Sequence, residues 1–171
     1  VLFVFRNDFI NLCQFYKNKD QRKFLFLLVL GSIPTACLGL LLSDYVEKLF
    51  QSTLAVGCML LITGGILRLL TVLPAGKKDL TSMRFTDALF IGLVQGIAVI
   101  PGISRSGSTI AGAVFRGLEP ESAARYSFML SAPVIAGAAL WETRKVMFSG
   151  MEKVMLVNYT IGGIIAFVSG I

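Results

Sequence analysis

Long apolar runs alternate with short charged stretches along this sequence. Residues 24–42 form a 19-residue run without a charged side chain, and predominantly apolar runs of similar length cover about 53–71, 122–140 and 154–171. An α-helix of ~20 residues crosses the ~30 Å hydrocarbon core of a bilayer. The pattern therefore predicts four membrane-spanning helices at these positions, joined by charged loops.

A fifth apolar run, at residues 88–100, is too short to be a span. It has 13 residues, ends at Pro101, and is followed after a polar loop by a second short run that ends at Arg116. Neither half can cross ~30 Å at ~1.5 Å per residue. We expect a re-entrant helical hairpin over about 88–116, with residues 101–108 at its tip. A single broken span is the alternative.

Composition agrees with a membrane protein. The chain is 55% hydrophobic and 15% charged, with a mean hydropathy of +0.76. In lipid, every backbone polar group must be satisfied internally, so apolar runs of this length favour helices. We expect an all-α polytopic membrane protein forming a single transmembrane domain over 1–171. The apolar sequence that directly follows Val1 and precedes Ile171 predicts a fragment truncated at both ends.

The net charge of +6, from 16 basic and 10 acidic residues, indicates topology rather than nucleic-acid binding. Basic residues cluster in two segments, 17–23 and 77–84, as the positive-inside rule expects of cytoplasmic loops. Because two spans separate these segments, we place them on the same side of the membrane. The three cysteines are isolated and there is no histidine, which argues against a zinc site, a histidine base and a disulfide framework.

The polar loop of the predicted hairpin concentrates the chemistry of the chain. Arg105 lies between apolar segments, where a charge costs ~2.5 kcal/mol or more, so it should face a protein interior or a water-filled cavity. Gly102 and Gly107 permit close approach of a ligand to the backbone. A helix that begins near Ser108 would direct its positive end to the same place.

These groups suit an anion. The Arg105 guanidinium matches two phosphate oxygens and stays charged. Neutral donors come from Ser104, Ser106, Ser108 and Thr109. The loop is thus predicted to hold a phosphate or diphosphate, the alternative being a structural helix break in which Arg105 pairs with a carboxylate. Gln95, on the incoming helix, either donates to the substrate or cross-bonds two helices.

The same stretch carries a family resemblance. Gln95–Gly96 and the run Pro-Gly-Ile-Ser-Arg-Ser-Gly-Ser-Thr-Ile at 101–110 resemble the second signature of the undecaprenyl-diphosphate phosphatase family, of the bacitracin-resistance type. Residues 32–35 and 128–134 are also similar to family segments. The resemblance implies an enzyme of the bacterial inner membrane that hydrolyses an isoprenoid lipid diphosphate in the bilayer, releasing phosphate and recycling the carrier of cell-wall synthesis.

The resemblance also implies a fold and a set of site residues. The fold would be a transporter-like helical bundle of inverted repeats, of which this chain holds one and a part. A short echo between residues 30–34 and 130–133 fits such repeats. The implied diphosphate-binding or transition-state-stabilising residues are Ser104, Arg105, Ser106 and Thr109. The resemblance adds Gln95 as a substrate-binding residue, and the close backbone approach that Gly102 and Gly107 permit predicts these two glycines as substrate-binding residues as well.

One part of the family pattern is missing. The first signature, a glutamate pair followed by a Ser-Ser-Thr-Gly-His run, has no counterpart here. No metal ligands are therefore predicted in this fragment. The Mg²⁺ or Ca²⁺ that the family implies, and the nucleophile or base, are expected from the absent N-terminal part, so that the fragment alone is inactive. A homodimer is possible. A transporter or flippase that holds the headgroup without cleaving it, and a purely structural subunit, are the competing functions.

Overall fold

A computed structural model describes residues 18–148 and 153–170 of the chain, and within these ranges it contains seven α-helices and no strand. The helices are α1 (Lys19–Leu41), α2 (Ser43–Phe50), α3 (Thr53–Val72), α4 (Phe85–Ile97), α5 (Arg105–Phe115), α6 (Pro120–Phe148) and α7 (Lys153–Ser169).

Three helices have the length and apolarity to cross a membrane. They are α1, α3 and the segment Pro120–Arg144 of α6, with mean hydropathies of 2.3, 2.0 and 1.2. Together with the helical content, they confirm the prediction of an all-α membrane protein. The span predicted at 154–171 corresponds to the 17-residue helix α7 and stays a prediction.

Two helices are longer than the apolar runs predicted from the sequence, because polar residues continue each helix beyond the run. α1 begins at Lys19, five residues before the uncharged run, because the Asn18 side chain accepts a hydrogen bond from the amide of Asp20 and caps the helix. α6 continues to Phe148, so the charged loop predicted between the spans 122–140 and 154–171 is helical in its first part, from Glu142 to Phe148. Cys13 and the first part of the basic segment 17–23 lie outside the described residues.

The core forms where α1, α4, α5 and α6 meet. Leu27, Ile91, Tyr126 and Met129 are fully buried there. The Tyr126 hydroxyl donates to the Leu27 carbonyl oxygen over 2.8 Å, which ties α6 to α1. The Lys23 Nζ donates to the Thr81 carbonyl oxygen over 2.5 Å, so Lys23 lies beside the second basic segment at one end of the bundle. The side of the membrane that this end faces stays a prediction.

The two helices of the sequence echo run in the same direction. Tyr126 contacts Leu27, and Leu130, one turn later, lies beside Gly31, one turn later in α1. Equivalent helices of inverted repeats run in opposite directions. The echo therefore does not identify α1 and α6 as inverted equivalents, and the repeat stays a prediction.

Helices α1 and α4 approach each other closely at Gly92. A Cβ atom there would lie 2.0 Å from the Gly31 carbonyl oxygen. The Thr35 Oγ1 donates to the Gly92 carbonyl oxygen over 2.8 Å, an interhelical hydrogen bond that only this close approach allows. Small residues serve this purpose in membrane helix packing, where van der Waals contact and interhelical hydrogen bonds stabilise association.

We expect Gly92→Ala to destabilise the bundle by about 1–3 kcal/mol, since the added methyl group forces two backbones apart. Thermal unfolding in detergent micelles measures the effect. Gly57→Ala is the matched control, because a Cβ at Gly57 meets no atom within 4 Å. Equal melting temperatures for the two variants would show that the α1–α4 contact is not tight.

Candidate anion-binding site at the hairpin tip

Helices α4 and α5 form an antiparallel hairpin. The rings of Phe90 and Phe115 stack with centroids 6.0 Å apart. One turn further toward the tip, a Cβ at Gly112 would lie 3.4 Å from the Val94 side chain. A single broken span would place the start of α4 and the end of α5 at opposite ends, so these contacts exclude that alternative. Insertion of the hairpin into the membrane from one side stays a prediction.

Asp87 joins the open ends of the hairpin. Its side chain is fully buried and lies 2.7 Å from Arg116 Nη2 and 3.4 Å from Lys78 Nζ. It also accepts a hydrogen bond from the Arg84 amide, 3.0 Å away, at the start of α4. Lys78 further donates to the Arg116 carbonyl oxygen over 2.8 Å. The carboxylate thus connects both helices and the preceding loop at the end opposite the tip.

The tip lies between Ile97 and Arg105, and its helix starts earlier than predicted. Ser104 is the N-cap of α5, and its hydroxyl accepts from the Gly107 amide over 3.1 Å. The helix therefore begins at Arg105, three residues before Ser108, because serine supplies the oxygen that an N-terminal amide needs. Its positive end lies at Ser104 and Arg105, while Ser108 and Thr109 lie inside the helix.

Thr63 of α3 holds the tip in place. Its hydroxyl donates to the Gly102 carbonyl oxygen over 2.8 Å and accepts from the Ser104 amide over 3.0 Å. Sequence reasoning missed this residue, since it gave α3 only a spanning role. The available signal was a hydroxyl in the middle of an apolar span, where an unpaired polar group is costly.

Arg105 is exposed at the first position of α5, and its guanidinium has no ion pair among the described residues. The alternative in which Arg105 pairs with a carboxylate therefore finds no support in residues 18–148 and 153–170. Ser106 beside it is also exposed, and Ser104 is partly buried. These three residues place a cation and two hydroxyl-bearing side chains at the positive end of one helix, a setting that favours anions.

The other predicted site residues face the protein. Thr109 is fully buried, and its hydroxyl donates to the Arg105 carbonyl oxygen over 2.9 Å and contacts the Ser127 hydroxyl of α6. Gln95 is buried, and its Nε2 lies 3.5 Å from the Thr35 hydroxyl, which fits the role of a cross-bond between α4 and α1. Its Oε1 has no partner in the described part of the chain.

The glycines of the motif allow close packing between helices. Gly102 has a φ of +93°, and a Cβ there would lie 2.6 Å from the Val56 carbonyl oxygen. Only glycine adopts this conformation without strain, and only glycine fits against α3. A Cβ at Gly107 would lie 3.0 Å from the Ser104 hydroxyl. Both glycines thus shape the tip, and direct contact with a substrate stays a prediction.

The described residues do not offer a metal site at the tip. No group of three or more His, Cys, Asp or Glu side chains close enough to hold a metal ion occurs among them. Asp87 is held by two cations at the opposite end of the hairpin. Hydrogen bonds from Ser82 and Thr81 lower the pKa of Asp79, in the loop before α4, to about 2. The Asp79 carboxylate therefore stabilises the turn in which it lies.

Comparison with known proteins matches the whole chain to one family. The family model described as "Bacitracin resistance protein BacA" covers residues 1–171. A curated protein of Halothermothrix orenii named "Undecaprenyl-diphosphatase" is 44% identical over 99% of this chain and 65% of its own length. Proteins of the same name from Alkaliphilus metalliredigens and Desulforapulum autotrophicum are 36% and 48% identical, over 100% and 82% of this chain and 67% and 51% of their own lengths.

The chain thus spans about half to two thirds of the length of these curated relatives. The match to the family model includes every residue of the chain. The chain belongs to the bacitracin resistance protein BacA family.

Proposed function

We propose that the full-length protein carrying this chain is an undecaprenyl-diphosphate phosphatase. It hydrolyses undecaprenyl diphosphate to undecaprenyl phosphate and inorganic phosphate in the membrane. The relatives' name supports the reaction. The observation that carries the assignment of the site is the exposed Arg105 guanidinium, without an ion pair among the described residues, at the N-terminus of α5.

In this proposal the hairpin tip binds the diphosphate. Arg105 donates two hydrogen bonds to phosphoryl oxygens and offsets the negative charge that develops as the terminal phosphate leaves. Ser104 and Ser106 add neutral donors beside it. Thr109, with its hydroxyl bound to the Arg105 carbonyl, positions the first turn of α5.

The remaining parts of the proposal come from the family resemblance. A divalent cation, Mg²⁺ or Ca²⁺, and the group that starts the reaction are supplied by sequence outside the described residues. The protein is a multi-pass protein of the bacterial plasma membrane, where its isoprenoid lipid substrate resides, and we propose a homodimer as its assembly. Recycling of the lipid carrier for cell-wall synthesis would connect it to bacitracin resistance.

Phosphate release tests the proposed reaction. Purified full-length protein in detergent is given undecaprenyl diphosphate, and inorganic phosphate is measured over time. Steady release, with undecaprenyl phosphate as the second product, is expected. Binding of the lipid without release of phosphate would instead indicate the flippase function, and the 171-residue chain alone is expected to release none.

Thr63→Val tests how the tip is held. The substitution keeps the shape of the side chain but removes the hydrogen bonds to Gly102 and Ser104. At about 1 kcal/mol for each bond, we expect phosphate release to fall roughly tenfold or more while the protein remains folded. Thr71→Val is the control, since both hydrogen bonds of the Thr71 hydroxyl given by the described residues go to Arg68, one turn earlier in the same helix. An equal effect of both variants would contradict a role for Thr63 at the tip.

A further inference from the structure

Two buried hydroxyl groups meet where α5 packs against α6. Thr109 of α5 is fully buried, and Ser127 of α6 is 2% exposed. The Thr109 Oγ1 and the Ser127 Oγ are hydrogen-bonded to each other. Interhelical hydrogen bonds of this kind stabilise the association of membrane helices. The pair therefore connects the helix that begins at Arg105 to its neighbour α6.

The acceptors around this pair determine which hydroxyl donates. The Thr109 Oγ1 lies 2.9 Å from the Arg105 carbonyl oxygen and 3.2 Å from the Ser106 carbonyl oxygen. Within the described part of the chain, the Ser127 hydroxyl has no hydrogen-bond partner other than Thr109. Each hydroxyl has one proton, so both protons are used only if Ser127 donates to Thr109 and Thr109 donates to the backbone. The result is a chain of hydrogen bonds from α6 to the first turn of α5.

Ser127 lies at a well-anchored point of α6. The preceding residue, Tyr126, is fully buried in the core, and its hydroxyl donates to the Leu27 carbonyl oxygen of α1 over 2.8 Å. Residues 126 and 127 thus bind two different helices from adjacent positions. Because the bond to α1 holds this part of α6 in place, the Ser127 hydroxyl is a fixed donor for α5.

The first turn of α5 is held separately from the tip loop. Thr63 of α3 bonds to backbone atoms that precede the helix. The hydrogen bonds from Ser127 through Thr109 instead reach the carbonyl of Arg105, the first residue of the helix. The direction of a helical side chain follows from the orientation of its own turn. The contact with α6 therefore affects the direction in which the Arg105 side chain leaves the helix.

We propose that Ser127 is a positioning residue for the diphosphate. Its hydrogen bond, passed on through Thr109, fixes the rotation of the first turn of α5 and so orients the Arg105 guanidinium toward the phosphoryl oxygens. A bidentate contact needs this orientation, because both N–H groups must meet their oxygens at once. Ser127 itself is buried and acts only through the helix. The inference rests on the proposed function, in which the tip binds a prenyl diphosphate.

Binding of a non-hydrolysable prenyl methylenediphosphonate to the full-length protein in detergent, measured by isothermal titration, tests the role of Ser127. We expect Ser127→Ala to raise the Kd about three- to tenfold, the effect of one hydrogen bond. Ser122→Ala is the matched control and should leave the Kd unchanged. Ser122 is also buried in α6, but its hydroxyl donates to the Glu119 side chain at the start of that helix, over 2.8 Å. An unchanged Kd in Ser127→Ala would overturn the proposal.

A double-mutant cycle separates positioning from general stabilisation. If Ser127 acts through Arg105, Ser127→Ala should raise the Kd in the wild-type background and have no further effect in an Arg105→Ala background. A residue that only stabilises the fold would change the Kd by the same factor in both backgrounds. Equal factors would therefore show that Ser127 does not position Arg105.

The variant Thr109→Val/Ser127→Ala keeps the test valid if Ser127→Ala alone lowers stability. Replacing both partners of a buried hydrogen bond with apolar groups can leave stability nearly unchanged. We expect a melting temperature near that of wild type together with a Kd still raised at least threefold. Wild-type values of both quantities would show that the pair serves packing alone and would overturn the proposal.

The outcomes distinguish this proposal from the phosphatase function. The expected Kd values without phosphate release from undecaprenyl diphosphate would contradict hydrolysis and leave the role of Ser127 intact. Phosphate release, with a Kd raised by Arg105→Ala and unchanged by Ser127→Ala, would overturn the role of Ser127 alone. The same Kd for wild type and Arg105→Ala would overturn both the site assignment and the positioning role.

Discussion

Arg105→Ala is expected to lower kcat/KM for undecaprenyl diphosphate about 10²- to 10³-fold, the range seen when a donor that stabilises developing charge is removed. The guanidinium is exposed and has no ion pair among the described residues, so its removal breaks no salt bridge there. The fold and membrane insertion should therefore be unchanged. Phosphate release by the purified full-length variant measures the effect.

Two further variants make this test specific. Arg105→Lys keeps the charge but loses the planar pair of donors, so we expect activity between wild type and Arg105→Ala. Arg68→Ala is the matched control, because Arg68 is exposed on α3 and its guanidinium donates to the Thr71 hydroxyl of the same helix. Near-normal hydrolysis by Arg105→Ala would exclude Arg105 as a substrate ligand.

Asp87→Asn should have the largest effect on stability among the charged residues of the hairpin. The carboxylate is fully buried and contacts Arg116 and Lys78, whose side chains are 34% and 36% exposed. Breaking a buried ion pair costs about 3–5 kcal/mol, but partly exposed cations recover some hydration, so we expect a loss of about 1–3 kcal/mol. Thermal unfolding in detergent measures it.

The position of Asp87 at the base of the hairpin also predicts how Asp87→Asn changes activity. Because Asp87 lies at the opposite end of the hairpin from Arg105, Asp87→Asn should lower activity mainly by reducing the folded population. Asp44→Asn, an exposed carboxylate in α2, is the control and should change neither quantity. A fully stable Asp87→Asn protein would show that the contacts with Arg116 and Lys78 do not hold the hairpin together.

The sequence predicted the hairpin because length alone decides that a 13-residue apolar run cannot cross a bilayer. It left a broken span as the alternative, because the contacts that exclude it, between Phe90 and Phe115 and between Val94 and Gly112, join residues of two different helices. The start of α5 was misplaced because the capping role of Ser104 was overlooked. Thr63 is not predicted from the sequence because its partners, Gly102 and Ser104, lie in the tip loop, 39 and 41 residues further along the chain.

The exposure of the motif residues also could not be predicted from the sequence. Arg105 and Ser106 are exposed at the tip, whereas Thr109 and Gln95 are buried against neighbouring helices. The sequence of the motif does not distinguish the exposed residues from the buried ones, because the direction of a side chain depends on where its helix starts and on what packs against that helix. The predicted role of each residue as a substrate ligand stays a prediction, with Arg105 best placed to fill it.

Binding of a non-hydrolysable diphosphate tests the central claim most directly. Isothermal titration of the full-length protein with a prenyl methylenediphosphonate should give a Kd that rises about tenfold or more in Arg105→Ala, the loss of a bidentate charge-assisted contact. Arg68→Ala should leave the Kd unchanged. The same Kd for wild type and Arg105→Ala would contradict the claim that the hairpin tip binds the diphosphate.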